Sequence, residues 1–172
     1  MNRIIKRALV GLAVVVCGVW AGATQAQPYP SRTVRIIVPF SPGGTTDVVA
    51  RSVAVMLGRS LNQSVVVENR PGAGGSIGAD LVAKAPPDGY TLLMGSSATL
   101  AFNPSLYPML PYDPVRDFAP VGMVCESALV LVTNPTSELS SVENLIRLAK
   151  SNPGKFTYST AGIGSATHVA SE

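Results

Sequence analysis

Two glycine-rich turns stand where helices are expected to begin, and such turns have the chemistry to hold a small anion. The first, residues 41–47, reads Ser-Pro-Gly-Gly-Thr-Thr-Asp and follows the apolar run of residues 34–38. The second, residues 161–167, reads Ala-Gly-Ile-Gly-Ser-Ala-Thr. The first N–H groups of a helix have no partner inside it and lie at the positive end of its dipole. Both turns are therefore candidate anion sites, although many strand-to-helix turns bind nothing.

Asp47 closes the first turn and has a structural interpretation. If Gly44 is the N-cap, Asp47 is the third helical residue, and its carboxylate can accept from the N–H of Gly44. The other N–H groups, beside the hydroxyls of Thr45 and Thr46, then remain for a ligand, and glycine lets that ligand approach the backbone closely. Because Asp47 opposes a second negative charge, the turn should prefer one well-placed carboxylate.

The glycine-rich segment of residues 72–78 raises enzymatic alternatives. It lacks the third glycine of the dinucleotide fingerprint, and no Gly-Lys-Ser/Thr follows to make a phosphate loop. The letters Gly-Gly-Ser-Ile-Gly of residues 74–78 match a hydrolase nucleophile elbow, but that motif needs a direct strand-to-helix turn, and residues 69–73 intervene. The single histidine, His168, is the only candidate base. An exported serine hydrolase using Ser76 stays as one alternative function.

The first 26 residues have the pattern of a secretory signal peptide. Basic residues near the start precede an apolar run over residues 8–20, and Thr24 and Ala26 fit the cleavage positions. We expect cleavage after Ala26, although residues 21–23 offer a second site, and export to the periplasm. The apolar run is short for a membrane span, and no later stretch is long and apolar enough to span, so no stable membrane insertion is expected after cleavage.

The charge and cysteine content exclude several classes of function. The chain has 13 basic and 10 acidic residues, and the predicted signal peptide holds three of the basic ones and no acidic one. The mature chain is therefore close to neutral and carries no basic stripe for nucleic acid. Only Cys125 remains after cleavage, so no internal disulfide can form, and one cysteine with one histidine predicts no metal site and no cofactor.

Strand and helix patterns alternate along the first half of the mature chain. Residues 34–38, 65–67 and 90–94 are strand-like, and residues 48–61 and 76–84 have helical spacing of apolar positions. This order predicts an α/β fold with a parallel sheet, and right-handed crossovers place the first strand between the other two. The loops at 41–46, 70–75 and 95–99 should then gather at the carboxyl ends of the strands.

The second half is predicted to start another domain. Residues 101–120 are rich in proline and should form an ordered loop, followed by strands at 121–125, 128–132 and 156–159. A capping box at residues 140–143 precedes a helix that ends near Lys150. We divide the chain into the signal peptide at 1–26, a first α/β lobe at 27–126, and the incomplete start of a second α/β lobe at 127–172.

Short motifs in a fixed order run through most of the mature chain. They are residues 29–32 (Tyr-Pro-Ser-Arg), 37–40 (Ile-Val-Pro-Phe), 42–44 (Pro-Gly-Gly), 66–75 (Val-Val-Glu-Asn-Arg-Pro-Gly-Ala-Gly-Gly), 87–92 (Pro-Asp-Gly-Tyr-Thr-Leu), 112–114 (Tyr-Asp-Pro), 117–118 (Asp-Phe) and the final Gly162, Gly164, Ser165, Thr167 and His168. In this order they resemble the Bug-type family, the periplasmic substrate-binding receptors of tripartite tricarboxylate transporters.

The resemblance implies a two-lobed architecture of the periplasmic-binding-protein type II kind, present here with a truncated second lobe. It implies a receptor without enzymatic activity that captures a small carboxylate, such as a di- or tricarboxylate or an amino acid, and delivers it to the membrane components of the transporter. Backbone N–H groups would hold the carboxylate. The contacts implied by the resemblance are Ser41, Gly43, Gly44, Thr45 and Thr46 in the first lobe with Ser96 and Ser97 nearby, and Gly164, Ser165, Ala166 and Thr167 in the second.

Members of this family continue well past the point that corresponds to Glu172. The chain is therefore interpreted as the N-terminal half of such a receptor. A non-functional truncated remnant stays as the other alternative function.

Overall fold

The structure is a computed structural model that describes residues 28–160 and 163–172. The predicted signal peptide with its cleavage site after Ala26 lies outside the described residues, as do Ala161 and Gly162 of the second turn. Residues 32–172 form one compact unit, so the division into lobes at residue 126 stays a prediction. Within the described ranges, no helix is long and apolar enough to cross a membrane.

A three-stranded parallel sheet forms the centre of the fold. Its strands are β1 (Val34–Val38), β2 (Val65–Asn69) and β3 (Thr91–Leu93), in the order β2-β1-β3. The predicted central position of β1 is confirmed, and the register pairs Ile36 with Val67 on one side and with Leu92 on the other. A central parallel strand is covered on both faces, which is why β1 is a nearly continuous apolar run.

Helix α1 (Thr45–Leu61) covers one face of the sheet. It begins three residues earlier than its apolar spacing predicted, and its C-cap is Asn62, which has a left-handed φ of 50°. The core of this face is built from buried Ile36 and Val38 of β1 against the small side chains of Ala50 and Ala54. Alanine at these positions lets the helix backbone approach the sheet closely, so α1 holds the first glycine turn firmly at the end of β1.

Helix α2 (Ser76–Ala83) follows a 3₁₀ turn at Ala73–Gly75, and the predicted helix of residues 76–84 is thus confirmed to within one residue. Gly78 sets its position. A Cβ added there would lie 2.8 Å from the Arg70 carbonyl oxygen and 2.8 Å from Pro39 Cβ, so only glycine lets α2 pack this close to the end of β1.

The proline-rich stretch is more regular than its composition predicted. A π-helical turn at Ala98–Phe102 leads directly into the short helix α3 (Asn103–Leu106), whose proline lies in the first turn, where its missing N–H costs nothing. The buried Tyr112 donates to the Thr99 carbonyl over 2.6 Å and packs edge-on against Phe118 at 5.8 Å. The expectation of a loop over 101–120 is therefore wrong for its first part, which is helical up to Leu106.

The strands predicted at 121–125, 128–132 and 156–159 are not formed. No described segment pairs with them. The apolar side chains of the first two runs are exposed, with Val121 at 90% and Val132 at 80%, and only Phe156 of the third run is half-buried. A strand exists only through a ladder of hydrogen bonds to a neighbour, and these runs have none within the described residues. The apolar pattern predicted that these segments are buried, but a segment can be buried only where another part of the protein packs against it.

Two helices lie beyond this stretch, α4 (Val142–Ser151) and α5 (Ala166–Ser171). The predicted capping box is shifted by one residue, because the N-cap of α4 is Ser141, whose hydroxyl accepts from the Asn144 N–H at 3.1 Å. The helix predicted to end near Lys150 is otherwise confirmed.

Candidate functional site

The first glycine turn links the end of β1 to the start of α1. Gly44 is the N-cap of α1, as predicted, with extended backbone angles of φ −75° and ψ 168°. Gly43 has φ +84°, a left-handed conformation that favours glycine, and a Cβ there would meet nothing within 4 Å. The turn therefore needs glycine at 43 for its conformation, and its outer surface is open to solvent.

The buried carboxylate of Asp47 stabilises this turn through hydrogen bonds. It is 3% exposed, and its Oδ2 accepts from the Gly43 N–H at 2.9 Å and from Arg51 Nε at 3.0 Å. Its Oδ1 accepts from Asn69 Nδ2 at 2.9 Å. The predicted bond to the Gly44 N–H is wrong by one residue, because the left-handed Gly43 turns its own N–H toward the carboxylate.

The same contacts stabilise the ionised form of Asp47. The hydrogen bonds from Arg51, the Gly43 N–H and Asn69 together lower the pKa of this carboxyl to about 2. Asn69 also donates to the Phe40 carbonyl at 3.1 Å, which ties the end of β2 to the entrance of the turn. Sequence reasoning missed Arg51 and Asn69, although the spacing of four residues between Asp47 and Arg51 is typical of a helical ion pair.

The N–H groups above Asp47 remain outside this network. The first helical hydrogen bond runs from the Val48 N–H to the Gly44 carbonyl at 3.0 Å. The N–H groups of Gly44, Thr45 and Thr46 precede it and so have no partner within the helix. Gly44 and Thr45 are exposed and Thr46 is half-buried. These three N–H groups, at the positive end of a 17-residue helix, can donate hydrogen bonds to a carboxylate.

The other two loops meet the first at the same edge of the sheet, as predicted. A Cβ on Gly75 would lie 3.3 Å from the Phe40 ring and only 2.6 Å from Thr99 Cγ2, so the three loops are in direct contact. In the loop after β3, the Ser96 N–H donates to Thr99 Oγ1 at 3.0 Å, while the buried Ser96 hydroxyl has no hydrogen-bond partner in the described structure. Ser97 is the N-cap of the π-helical turn that follows.

The second glycine turn lies against α3. Ser165 is the N-cap of α5, and its hydroxyl accepts from the His168 N–H at 3.2 Å and lies 2.9 Å from Thr167 Oγ1. Gly164 has φ +81°, and a Cβ there would lie 3.3 Å from both Asn103 Oδ1 and the Tyr107 hydroxyl. No sequence pattern indicated this contact, because no short motif contains both segments. Ala166 follows as the first residue of α5.

The arrangement does not assemble the hydrolase alternative. Ser76 is 4% exposed, and its hydroxyl receives a hydrogen bond from Asn103 Nδ2 at 3.0 Å. His168 Nε2 lies 3.8 Å from Glu172, and among the described residues no hydrogen bond joins His168 to Ser76. No group of three or more metal-ligating side chains is found in the part of the chain that the structure describes.

Comparison with known proteins identifies the family. Residues 49–172 match the model of the tripartite tricarboxylate transporter family receptor. Protein BugT of Bordetella pertussis is 46% identical over all of this chain, which spans 53% of that protein. The periplasmic binding protein BugD is 38% identical with a TM-score of 0.69, and an R. palustris protein solved with adipate is 35% identical with a TM-score of 0.71; each match covers 83% of this chain and 48% of the other.

The chain thus spans about half the length of the relatives it matches. The solved neighbours are periplasmic proteins of the architecture that the sequence predicted, and the α/β sheet with its covering helices agrees with them. The matched region includes most of α1 and reaches Glu172. The chain belongs to the tripartite tricarboxylate transporter receptor family.

Proposed function

We propose that this chain is the N-terminal part of a periplasmic receptor that captures a small carboxylate for a tripartite tricarboxylate transporter. The observation that carries the proposal is the first turn, where the N–H groups of Gly44, Thr45 and Thr46 have no helical partner and belong to exposed or half-buried residues. Membership in the receptor family supports binding without a chemical step. The predicted signal peptide supports delivery to the periplasm.

The charges around the turn favour a single anion. Asp47 alone would repel a carboxylate, but Arg51 pairs with it at 3.0 Å and leaves the pair neutral overall. The dipole of α1 then determines the local potential, and its N-terminus is positive. A hydrogen bond from a backbone N–H to a carboxylate contributes on the order of 1–3 kcal/mol, so two or three of them suffice for a weak, reversible complex.

Within the turn the donors have different roles. The Gly43 N–H is already used by Asp47, so Gly43 contributes its conformation and its open Cα surface. Gly44, Thr45 and Thr46 supply the N–H donors, with the two threonine hydroxyls beside them. Ser41 and the loop at Ser96 and Ser97 flank the ligand. The ligand is inferred to be an aliphatic dicarboxylate, which the adipate found in one solved relative supports.

The second turn would supply the opposite wall of the site. Gly164, Ser165, Ala166 and Thr167 precede or open α5, and the bound carboxylate would bridge the two turns. Closure around the ligand then produces the form that the membrane components recognise. Because the chain spans half of its relatives, the completed cleft and the transporter contact belong to the proposal.

A proline substitution tests the backbone donors directly. Thr45 is the first residue of α1, a position where proline fits the helix and removes only the N–H. We expect Thr45→Pro to weaken adipate binding about tenfold or more in isothermal titration calorimetry, which corresponds to one lost charge-assisted hydrogen bond. Thr45→Ala is the matched control, since it removes the hydroxyl and keeps the N–H. Equal affinity of Thr45→Pro and the unaltered chain for adipate contradicts the proposed site.

A further inference from the structure

The outward side of helix α1 carries large apolar side chains that no described part of the chain covers. Val48, Val55 and Met56 are each more than half exposed. Because Val55 and Met56 follow Val48 by about two helical turns, the three side chains lie on one side of the helix. The other side packs on the sheet through Ala50 and Ala54. Val48, Val55 and Met56 therefore form a second apolar surface, which we call the outer stripe.

The charge beside the outer stripe is positive. Helix α1 has three charged side chains, and two of them, Asp47 and Arg51, form an ion pair at 3.0 Å. The third, Arg59, is exposed, and the structure gives it no hydrogen bond or ion pair among the described residues. Arg59 follows Val55 by four residues and Met56 by three, so it lies at the end of the outer stripe. Apolar surface and one uncompensated positive charge are thus combined over about 16 Å of helix.

We propose that the outer stripe of α1 docks an amphipathic helix of a partner protein, whose apolar side chains are bordered by carboxylates. The apolar side chains of the partner would cover the outer stripe, and one carboxylate would pair with Arg59. This inference rests on the proposed function, under which the partner helix belongs to a membrane component of the transporter. Because α1 begins at the first glycine turn, the partner would contact the same helix whose N-terminus holds the ligand.

Charge complementarity favours this partner over a second copy of the chain. The only carboxylate on α1, that of Asp47, is buried, so two outer stripes packed together would bring arginine against arginine. A membrane surface fits less well, because the other side of α1 is held by the sheet and the helix cannot turn a wide apolar face into lipid. A single free arginine is also far from the basic cluster that binds anionic lipid.

The test uses two synthetic helical peptides that share a stripe of leucines and differ only in the residues beside it. One peptide has glutamate at these positions, and the other has lysine. In fluorescence anisotropy with the full chain, we expect the glutamate peptide to bind about fivefold more tightly than the lysine peptide at low salt. Raising the salt concentration should reduce this difference, because it screens the pairing with Arg59.

Variants of α1 then locate the docking surface. Val55→Thr keeps the shape of the side chain and replaces a methyl group by a hydroxyl, so it should weaken binding of the glutamate peptide about threefold or more. Arg59→Gln should remove most of the difference between the two peptides. The matched controls lie on α4, where Val142 is also more than half exposed and Arg147 is exposed. Val142→Thr and Arg147→Gln should leave both affinities unchanged.

Other occupants give different results. A folded chain that binds neither peptide, or that binds both equally, refutes the docking surface, as does an equal loss in the α1 and α4 variants. Binding to phosphatidylglycerol vesicles that Val55→Thr weakens would make a membrane the occupant. A dimer in analytical ultracentrifugation that Val55→Thr dissociates would make a second copy the occupant, and either result overturns the proposal.

Isothermal titration calorimetry with adipate separates this inference from the proposed function. A chain that binds adipate and neither peptide refutes the docking surface and leaves the carboxylate receptor standing. A folded chain that binds the glutamate peptide at the outer stripe but no carboxylate refutes the proposed function, and with it the transporter as the partner. Val55→Thr should leave adipate affinity unchanged, since its side chain lies more than two turns from the start of α1.

Discussion

Replacing Gly78 by alanine sets two opposite effects against each other. In a helix interior alanine is favoured over glycine by about 1 kcal/mol, so propensity alone predicts a more stable protein. The structure predicts the reverse, because the new Cβ would lie 2.8 Å from the Arg70 carbonyl oxygen and 2.8 Å and 2.9 Å from Pro39 Cβ and Cα. These are backbone or ring atoms, which cannot rotate away as the end of a long side chain can.

We expect the steric cost of the new Cβ to exceed the gain in helix propensity. Overpacking a close-packed contact costs about 1–3 kcal/mol, and three rigid contacts place Gly78→Ala toward the upper end. After the propensity gain is subtracted, we expect the free energy of unfolding to fall by about 1–2 kcal/mol. A shift of α2 away from Pro39 would also loosen the end of β1, from which the first turn starts, so ligand affinity should fall as well.

Urea denaturation followed by circular dichroism measures this change, and Gly58→Ala is the matched control. Gly58 lies inside α1, where the new Cβ would be 3.3 Å from the Gln63 carbonyl oxygen, a much milder contact. We expect Gly58→Ala to change the free energy of unfolding by less than about 1 kcal/mol. A Gly78→Ala variant that is more stable than the unaltered chain would show that α2 does not pack on Pro39 as described.

Three other predictions concern the core and the acid stability of the turn. The pKa of Asp47 is lowered to about 2, so its stabilising contribution is complete above about pH 4 and is lost as the pH falls toward 2; Asp47→Asn should flatten the acid-unfolding curve in this window. Ile37 is 0% exposed, so Ile37→Ala should lower the free energy of unfolding by about 2–5 kcal/mol in urea titrations, while Val66→Ala at a 38% exposed position should cost less than about 1 kcal/mol. Tyr112→Phe leaves the Thr99 carbonyl without its 2.6 Å donor and should cost about 1–3 kcal/mol in the same measurement; no change in stability would contradict the role given to that bond.

Features set by local chemistry could be predicted from the sequence. The apolar, β-branched run of β1 indicated a strand buried on both faces, and right-handed crossovers then placed it at the centre of the sheet. Gly44 was considered as the N-cap because Asp47 then stands at the third helical position, and the structure has this N-cap. The bond of Asp47 was misassigned by one residue, since the left-handed φ of Gly43, which rotates its N–H inward, is not visible in the sequence.

Features set by distant contacts could not be predicted. Asn69 reaches the first turn from the end of another strand, and Asn103 reaches Gly74 from a helix 29 positions away in the chain. A polar residue in a proline-rich stretch gives no sign that it will be fully buried. The apolar runs around Val121 and Val132 predicted strands that the structure does not form, because a strand forms only with a partner, which periodicity within one segment does not identify.

The most direct test of the central claim is to follow the backbone amide signals of the ¹⁵N-labelled chain during titration with adipate. If the first turn holds the carboxylate, the signals of Gly44, Thr45 and Thr46 will move with saturable dependence on ligand concentration. The Gly43 signal, whose N–H already belongs to Asp47, will move least of the four. Adipate binding that leaves these amides unshifted, or that shifts Gly43 most, contradicts the site.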